Sequence, residues 1–236
     1  MHKPAVKPIR TVMMSLWRDD MQRNLSARID HLLHKVGVDR WVWVVGNCSD
    51  STEAALRSVA HTWSRITVVR FDSEELGNTP EQRLVRLSQT AQAGMDTVQP
   101  DDDYWCFHES DLISPDTVVL RMLALQRSET PCAVAGWPVL GDMFYDTWAY
   151  RKDGQKFANF PPYHPAYVDH VFEVDSAGSV LLMPAEALRQ GVRCTTGGLV
   201  EVCAGLKARG YPIYVDPHLR IEQPMDLWSS HAHPSY

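Results

Sequence analysis

Five apolar runs of strand length, separated by stretches of helical periodicity, constrain this chain more than any single motif. They read "TVMMSLW", "RWVWVVG", "ITVVRF", "DDDYWCFHE" and "CAVAGW". Between the first two, Leu25, Ile29, Leu32, Leu33 and Val36 fall at helical spacing, with Asp19 and Gln22 as the expected start signal. Asp50 and Glu53 stand at capping-box spacing before a second helix. Thr79, Pro80 and Gln82 mark a third start, with cap, helix-initiating proline and box residue in order. Ser114 and Pro115 repeat the cap-then-proline device before "DTVVLRMLALQ". Strands alternating with helices in this way imply a mostly parallel α/β sheet, covered on both faces and joined by right-handed crossovers.

With 236 residues, 44% of them hydrophobic and 22% charged, the chain can bury a large core in one domain. The net charge is -6 and the Lys and Arg residues are scattered, which removes the footprint of a general nucleic-acid binder and leaves room only for a local basic groove. The basic start "MHKPAVKPIR" runs into a strand-like segment without a cleavage pattern, and "PCAVAGWPVLG" is too short to cross a bilayer. The expectation is a soluble cytoplasmic protein without a membrane anchor. Cys48, Cys106, Cys132, Cys194 and Cys203 form no CxxC pair and sit among apolar neighbours, so they read as reduced core residues.

From about Trp137 the alternation stops. The segment from Gly141 to His170 is rich in aromatics, Pro, Gly and Asp without a period, and irregular stretches of that length in a compact domain usually carry function. Order returns with a strand at "SVLLM", helices at "PAEALRQG" and "LVEVCAGLKARG", and a strand at "YPIYV". The chain thus divides into a ligand-binding half (11–136), an irregular second half (137–223) and a tail (224–236).

The fourth strand runs into Glu109-Ser110-Asp111. In an open α/β sheet, ligands sit beyond the carboxyl ends of the strands, so two carboxylates there suit a hard divalent ion, Mg²⁺ or Mn²⁺, with positions left for substrate phosphates. Spaced by two, the pair projects to one side if the strand persists that far. Asp101, Asp102 and Asp103 precede the strand at the opposite edge and read as a solvated turn.

With these elements in place, the chain resembles glycosyltransferases of the GT-A fold, over residues 11 to 223. "WCFHESD" stands where that family carries its metal-binding acid-x-acid motif, and "VVGNCSDST" is similar to the segment that holds base and ribose. "FYDTWAYR" and "FEVDSAGSVLLMPAEALRQGV" look more specifically like the fungal Golgi mannosyltransferase and capsule-associated transferase family, and the lack of an anchor would suit a bacterial or bacteriophage member. The resemblance implies a Rossmann-like sheet with a metal on Asp111, and Glu109 on the metal or the donor ribose. It places Ser15, Trp17, Asn47, Asp50 and Ser110 around a UDP- or GDP-sugar donor. Arg83 and Arg86, one turn apart, would reach the diphosphate. Asp146, Trp148 and Arg151 would face the acceptor, for which a hydroxymethylated base in phage DNA is one candidate.

Two departures stand out. Gly198 and Leu199 occupy the places where many GT-A enzymes carry Glu-Asp, which leaves Asp175 or Glu201 as the base if the reaction inverts the sugar; the mannosyltransferase likeness implies retention instead. Gln223 stands where the family commonly has a histidine ligand, so His218, or His231 and His233 in the tail, would have to replace it. The rival readings are a nucleotidyltransferase, against which "SLWRDD" lacks a Gly-rich phosphate loop, and a non-catalytic nucleotide-sugar-binding module.

Overall fold

The computed structural model describes residues 8–20, 24–73, 79–126, 130–141, 143–146, 148–157 and 169–224. Its first half follows the alternation: β1 (Thr11–Trp17), α1 (Leu25–Leu33), β2 (Arg40–Val45), α2 (Thr52–Thr62), β3 (Ile66–Arg70), α3 (Pro80–Met95), β4 (Tyr104–His108), α4 (Val118–Ala124) and β5 (Ala133–Leu140). The second half adds the short strands β6 (Met143–Phe144), β7 (Arg151–Lys152), β8 (Gln155–Lys156) and β9 (Phe172–Val174). It closes with β10 (Val180–Pro184), α5 (Ala185–Arg189), α6 (Gly198–Lys207) and β11 (Ile213–Glu222).

The main sheet has nine strands, in the order β3-β2-β1-β4-β10-β5-β11-β9, with β6 on β5. Strands β1 to β4 are mutually parallel, whereas β10 lies antiparallel between β4 and β5. The sheet is therefore mixed: parallel where the sequence alternates, and changed in direction where β10 enters. Every residue of β2 is buried, as expected of a strand covered on both faces. Its alternate side chains feed two cores, Val42 and Val44 packing toward α3, Trp41, Trp43 and Val45 toward α1 and α2.

The helix starts illustrate how far local signals reach. At α3 the full capping box forms, with the Thr79 side chain accepting from the Gln82 amide and the Gln82 side chain accepting from the Thr79 amide. At α1 the expected cap is wrong: the helix begins at Leu25 after Asn24 in the left-handed region, and Asp19 (φ 47°) instead accepts the Ser49 amide at 2.6 Å. Helix α2 starts one residue past Ser51, with Asp50 accepting the Thr52 amide at 2.9 Å. Helix α4 starts after Thr117 rather than Ser114, whose hydroxyl is spent elsewhere. The acidic turn before β4 is also not simply solvated. Asp102 is buried and accepts from Arg40 at 2.6 Å, Asp103 accepts the Arg10 amide at 2.8 Å, and Asp101 pairs with the Arg10 guanidinium. These contacts pin the start of β4.

All five cysteines are free, and four of them are buried. Among the described residues no helix is long and apolar enough to cross a membrane.

Candidate functional site

Strand β4 ends at His108, and the next residues turn rather than continue, with the Leu112 amide reaching back to the Glu109 carbonyl at 3.3 Å. Glu109 and Asp111 therefore flank a tight turn at the carboxyl edge of β4, beside the seam where antiparallel β10 begins. The Glu109 amide donates to the Ser179 carbonyl across that seam at 3.0 Å.

Asp146, from the "YDTWAYR" segment, joins them from the other side. One of its oxygens accepts the amides of Trp148 and Ala149, both at 3.1 Å, and the other accepts the Ser179 hydroxyl at 2.9 Å. Gly178 makes that approach possible, because a Cβ there would sit 2.6 Å from the carboxylate and 2.5 Å from the Ala149 methyl. Tyr150 then locks the segment down by donating to the Gly136 carbonyl at 2.6 Å.

Burial pushes the Glu109 carboxyl well above its ordinary range, the charges of Asp111 and Asp146 push it the same way, and Arg83 alone pulls it down. Burial raises Asp146 as well, against its three hydrogen bonds. The Tyr145 phenol is raised by burial and then by Glu109, Asp111 and Asp146. Burial thus holds both Glu109 and Asp146 above the ordinary carboxylate range, and a divalent ion beside them would relieve the repulsion that raises Glu109. Glu109, Asp111 and Asp146 do not close into a ready-made cage. The one set of three ligand atoms within 4.8 Å of each other among the described residues is Asp19, Cys48 and Asp50, beyond β1 and β2. An ion that keeps several positions for water and phosphate needs no closed cage.

The acid loop is held from below. Arg28 of α1 donates to the Ser110 carbonyl at 2.8 Å, to the Ser110 hydroxyl at 2.7 Å and to Asp20 at 2.7 Å, while the Ser110 hydroxyl donates to the Leu16 carbonyl at 2.6 Å. His108 and Ser114 close the other end. The imidazole donates from Nδ1 to the Glu109 carbonyl at 2.7 Å and accepts the Ser114 hydroxyl at Nε2 at 2.8 Å. That pattern needs a neutral ring, and burial lowers His108 to about 3. His31 accepts the Ser114 amide at 3.1 Å, and burial with the neighbouring Lys35 charge lowers it to about 4. Lys35, itself lowered to about 8 by burial, donates to the Ser114 carbonyl at 2.7 Å.

Several sequence-derived assignments change on this geometry. Ser15, in the middle of β1, is completely buried and presents no surface to a ligand in this structure. Trp17 is 2% exposed, packed edge-on against Trp43 and covered by the Arg28 guanidinium, so it is core. The Ser110 side chain is consumed by Leu16 and Arg28. Asn47 faces Ser73, accepting its amide and hydroxyl at 2.9 Å, and so braces the loops after β2 and β3. Asp50 stays at the upper edge with Asp19 and Cys48.

Neither candidate base has the chemistry of one. Partial burial pushes Glu201 up, but the Thr195 hydroxyl and the amides of Gly197, Thr196 and Thr195 outweigh it and bring the carboxyl to about 2, which makes Glu201 a cap for the start of α6. Asp175 is held low by Lys207 at 2.6 Å and by the Gly154 amide at 2.8 Å. His218 turns to the Asp169 carbonyl at 2.7 Å rather than to the carboxylates. Gln223 is buried, its amide on the Val139 carbonyl. His231 and His233 lie outside the described residues.

On the second-half side, Trp148 is 56% exposed with the Lys156 ammonium 4.8 Å from its ring, and one Arg151 guanidinium nitrogen is buried without a hydrogen-bond partner among the described residues. Arg83, exposed on α3, acts on Glu109 through its charge. Arg86 is one turn on and half-buried. Sequence reading passed over Tyr145, Ser179, Arg28, His31 and Lys35. Only the position of Tyr145 beside "DTWA" hinted at the site.

No protein-family model matches the sequence, and no curated relative is found by sequence. Solved structures do match. They include the mannosyltransferase PcManGT from Pyrobaculum calidifontis in complex with GDP-Man and Mn²⁺, with TM-score 0.61 and 14% identity over 93% of this chain and 60% of that one. GalNAc-T7, solved with UDP, GalNAc and Mn²⁺, gives 0.64 and 9% over 91% and 43%, and S. aureus TarS 1-349 gives 0.54 and 10% over 89% and 60%. This chain therefore spans less than two thirds of each of those chains. At such identities the likeness shows the fold, and the fold is the GT-A arrangement of a central sheet flanked by helices.

Proposed function

We propose that this protein is a metal-dependent glycosyltransferase that moves a sugar from a nucleotide-diphosphate sugar to an acceptor hydroxyl. The observation that carries the reading is Glu109 and Asp111 at the carboxyl edge of β4, crowded by Asp146 so that Glu109 resists ionising without a cation, on a fold shared with transferases solved with Mn²⁺. Asp111, with Glu109 beside it, would hold Mn²⁺ or Mg²⁺, which supplies positive charge to the leaving diphosphate. Arg83 adds a cation that acts on Glu109, with Arg86 a turn further on. The rim formed by Asp19, Cys48 and Asp50 is the nucleoside end for a UDP- or GDP-sugar. Trp148 and Arg151 take the acceptor end, Trp148 as an exposed platform for a sugar ring.

Since Glu201 and Asp175 are held as stabilised anions, the residues favour a retaining transfer, in which no separate protein base is required. A hydroxymethylated DNA base is a candidate acceptor only where local basic surface offsets the net charge of -6. A bacterial or phage cytosol is the setting that fits this reading.

Isothermal titration of UDP and GDP, with and without Mn²⁺, tests it. One of the two should bind with Mn²⁺-dependent affinity, and Asp111→Asn should abolish that dependence while leaving the melting temperature near wild type. Unchanged Mn²⁺-dependent binding in Asp111→Asn would remove the metal assignment. Release of free sugar from the donor, rather than of pyrophosphate from a nucleoside triphosphate, separates transfer from the nucleotidyltransferase alternative.

A further inference from the structure

Helix α1 carries its apolar residues toward the sheet, and its other face would ordinarily be solvated. Three residues break that rule. Arg28, His31 and Lys35 stand at the spacing of one helix face, Lys35 just past the helix end, and all three reach the loop that follows β4. Arg28 meets residue 110, His31 and Lys35 meet residue 114, and the Lys35 ammonium also stands 3.4 Å from Asp116. The stripe thus grips the loop on both sides of Asp111.

Arg28 is the most heavily used of the three. Its side chain is 11% exposed and that of its partner Asp20 is 4% exposed, so the pair is shielded from solvent. Asp20 in turn accepts the Arg18 amide at 2.9 Å, and its own amide donates to the Thr52 hydroxyl at 2.7 Å. One guanidinium therefore joins the loop after β1 and the start of α2 to the residue between the two carboxylates. A planar fork presents its donors in several fixed directions and so holds acceptors on opposite sides at once, whereas a lysine offers its donors from a single point.

We propose that Arg28, with His31 and Lys35 behind it, is a positioning residue that sets the spacing of Glu109 and Asp111 and thereby the affinity of the site for a divalent ion, an inference that rests on the metal-dependent reading above. None of the three touches the ion. Their contribution is the orientation of the residues that do, and loss of such outer partners commonly weakens metal binding 10- to 100-fold.

The test is calorimetric titration of Mn²⁺ alone, without nucleotide, into wild type, Arg28→Lys and Ser110→Ala, each checked for fold by circular dichroism and measured well below its melting temperature. Arg28→Lys should weaken Mn²⁺ binding about 10-fold. Ser110→Ala removes one hydroxyl from the clamp, and it should cost a smaller factor that is not additive with Arg28→Lys in the double variant. If Arg28→Lys fails to fold, Ser110→Ala carries the test alone. Folded variants that bind Mn²⁺ with wild-type affinity would overturn the proposal and reduce Arg28 to a structural residue. Wild-type protein that binds no Mn²⁺ without nucleotide would also overturn the proposal, whereas the metal reading itself fails only if UDP and GDP binding shows no Mn²⁺ dependence.

Discussion

Glu201 is one of the two carboxylates that the sequence offered as a base, and the structure makes it a cap, so Glu201→Gln separates the two roles. The carboxylate accepts the amides of Thr195, Thr196 and Gly197 at 2.8, 2.9 and 2.9 Å and the Thr195 hydroxyl at 2.6 Å. Glutamine keeps one acceptor oxygen and turns an NH₂ toward donors, so at least one amide loses its partner and the favourable charge at the start of α6 is lost. For a partly exposed cap, that is a loss of about 1–2 kcal/mol. In a chain of this length it should lower the melting temperature by roughly 3–6 °C. The sign of the pH dependence follows from the depressed carboxyl: the stabilisation is present above the unfolded-state value of about 4.3 and disappears as pH falls through about 2. Differential scanning calorimetry at pH 7 and pH 3 should therefore show a gap between wild type and variant that narrows in acid. Turnover measured well below the melting temperature should fall by no more than a small factor. A loss of about 100-fold or more in turnover with an unchanged melting temperature is the behaviour of a general base and would refute this reasoning.

Arg40→Met should leave Asp102 charged and buried without its 2.6 Å partner, and chemical denaturation should report a loss of about 3–5 kcal/mol; a loss below about 1 kcal/mol would mean that the turn before β4 is solvated after all. Gly178→Ala places a methyl into the Asp146 carboxylate and the Ala149 side chain, so the urea midpoint should move by the equivalent of about 1–3 kcal/mol, and an unchanged midpoint would show that Asp146 does not sit where the backbone of Gly178 requires it.

The parallel half of the fold was legible because its signals are local. The apolar run of β2 and the Thr79-Pro80-Gln82 start of α3 need no partner to be read. Asp19 and Ser114 were misread as caps because both are claimed by distant groups, the amides after β2 in one case and His108 in the other, and no local spacing reports that competition. The place of Glu109 and Asp111 at the carboxyl end of β4 was legible because the apolar run of the strand stops just before them. Ser15 and Trp17 were placed around the donor by the resemblance alone, whereas alternation along β1 turns both into the core. Arg28 was invisible for the opposite reason: an arginine on the polar face of a helix reads as solvated until the loop that folds over it is known.

The late arrival of β10 has a consequence for how the molecule is made. His108 pairs with Val180 and Ala135 with Leu181, so the strand at the centre of the sheet comes after the irregular segment rather than before it. Until that strand is in place, β4 and β5 each present an open edge of unpaired backbone groups, and Cys106 and Val134 lack their neighbour Leu182. A growing chain that has reached Leu140 but not Pro184 is thus a half-sheet with sticky margins, and its closure waits on contacts between residues far apart in the chain, the kind that form slowly. The same strand that brings Ser179 to Glu109 and Asp146 is the one whose docking joins the two parts of the sheet, so the carboxylate site can assemble only in a chain that has already finished its most demanding folding step.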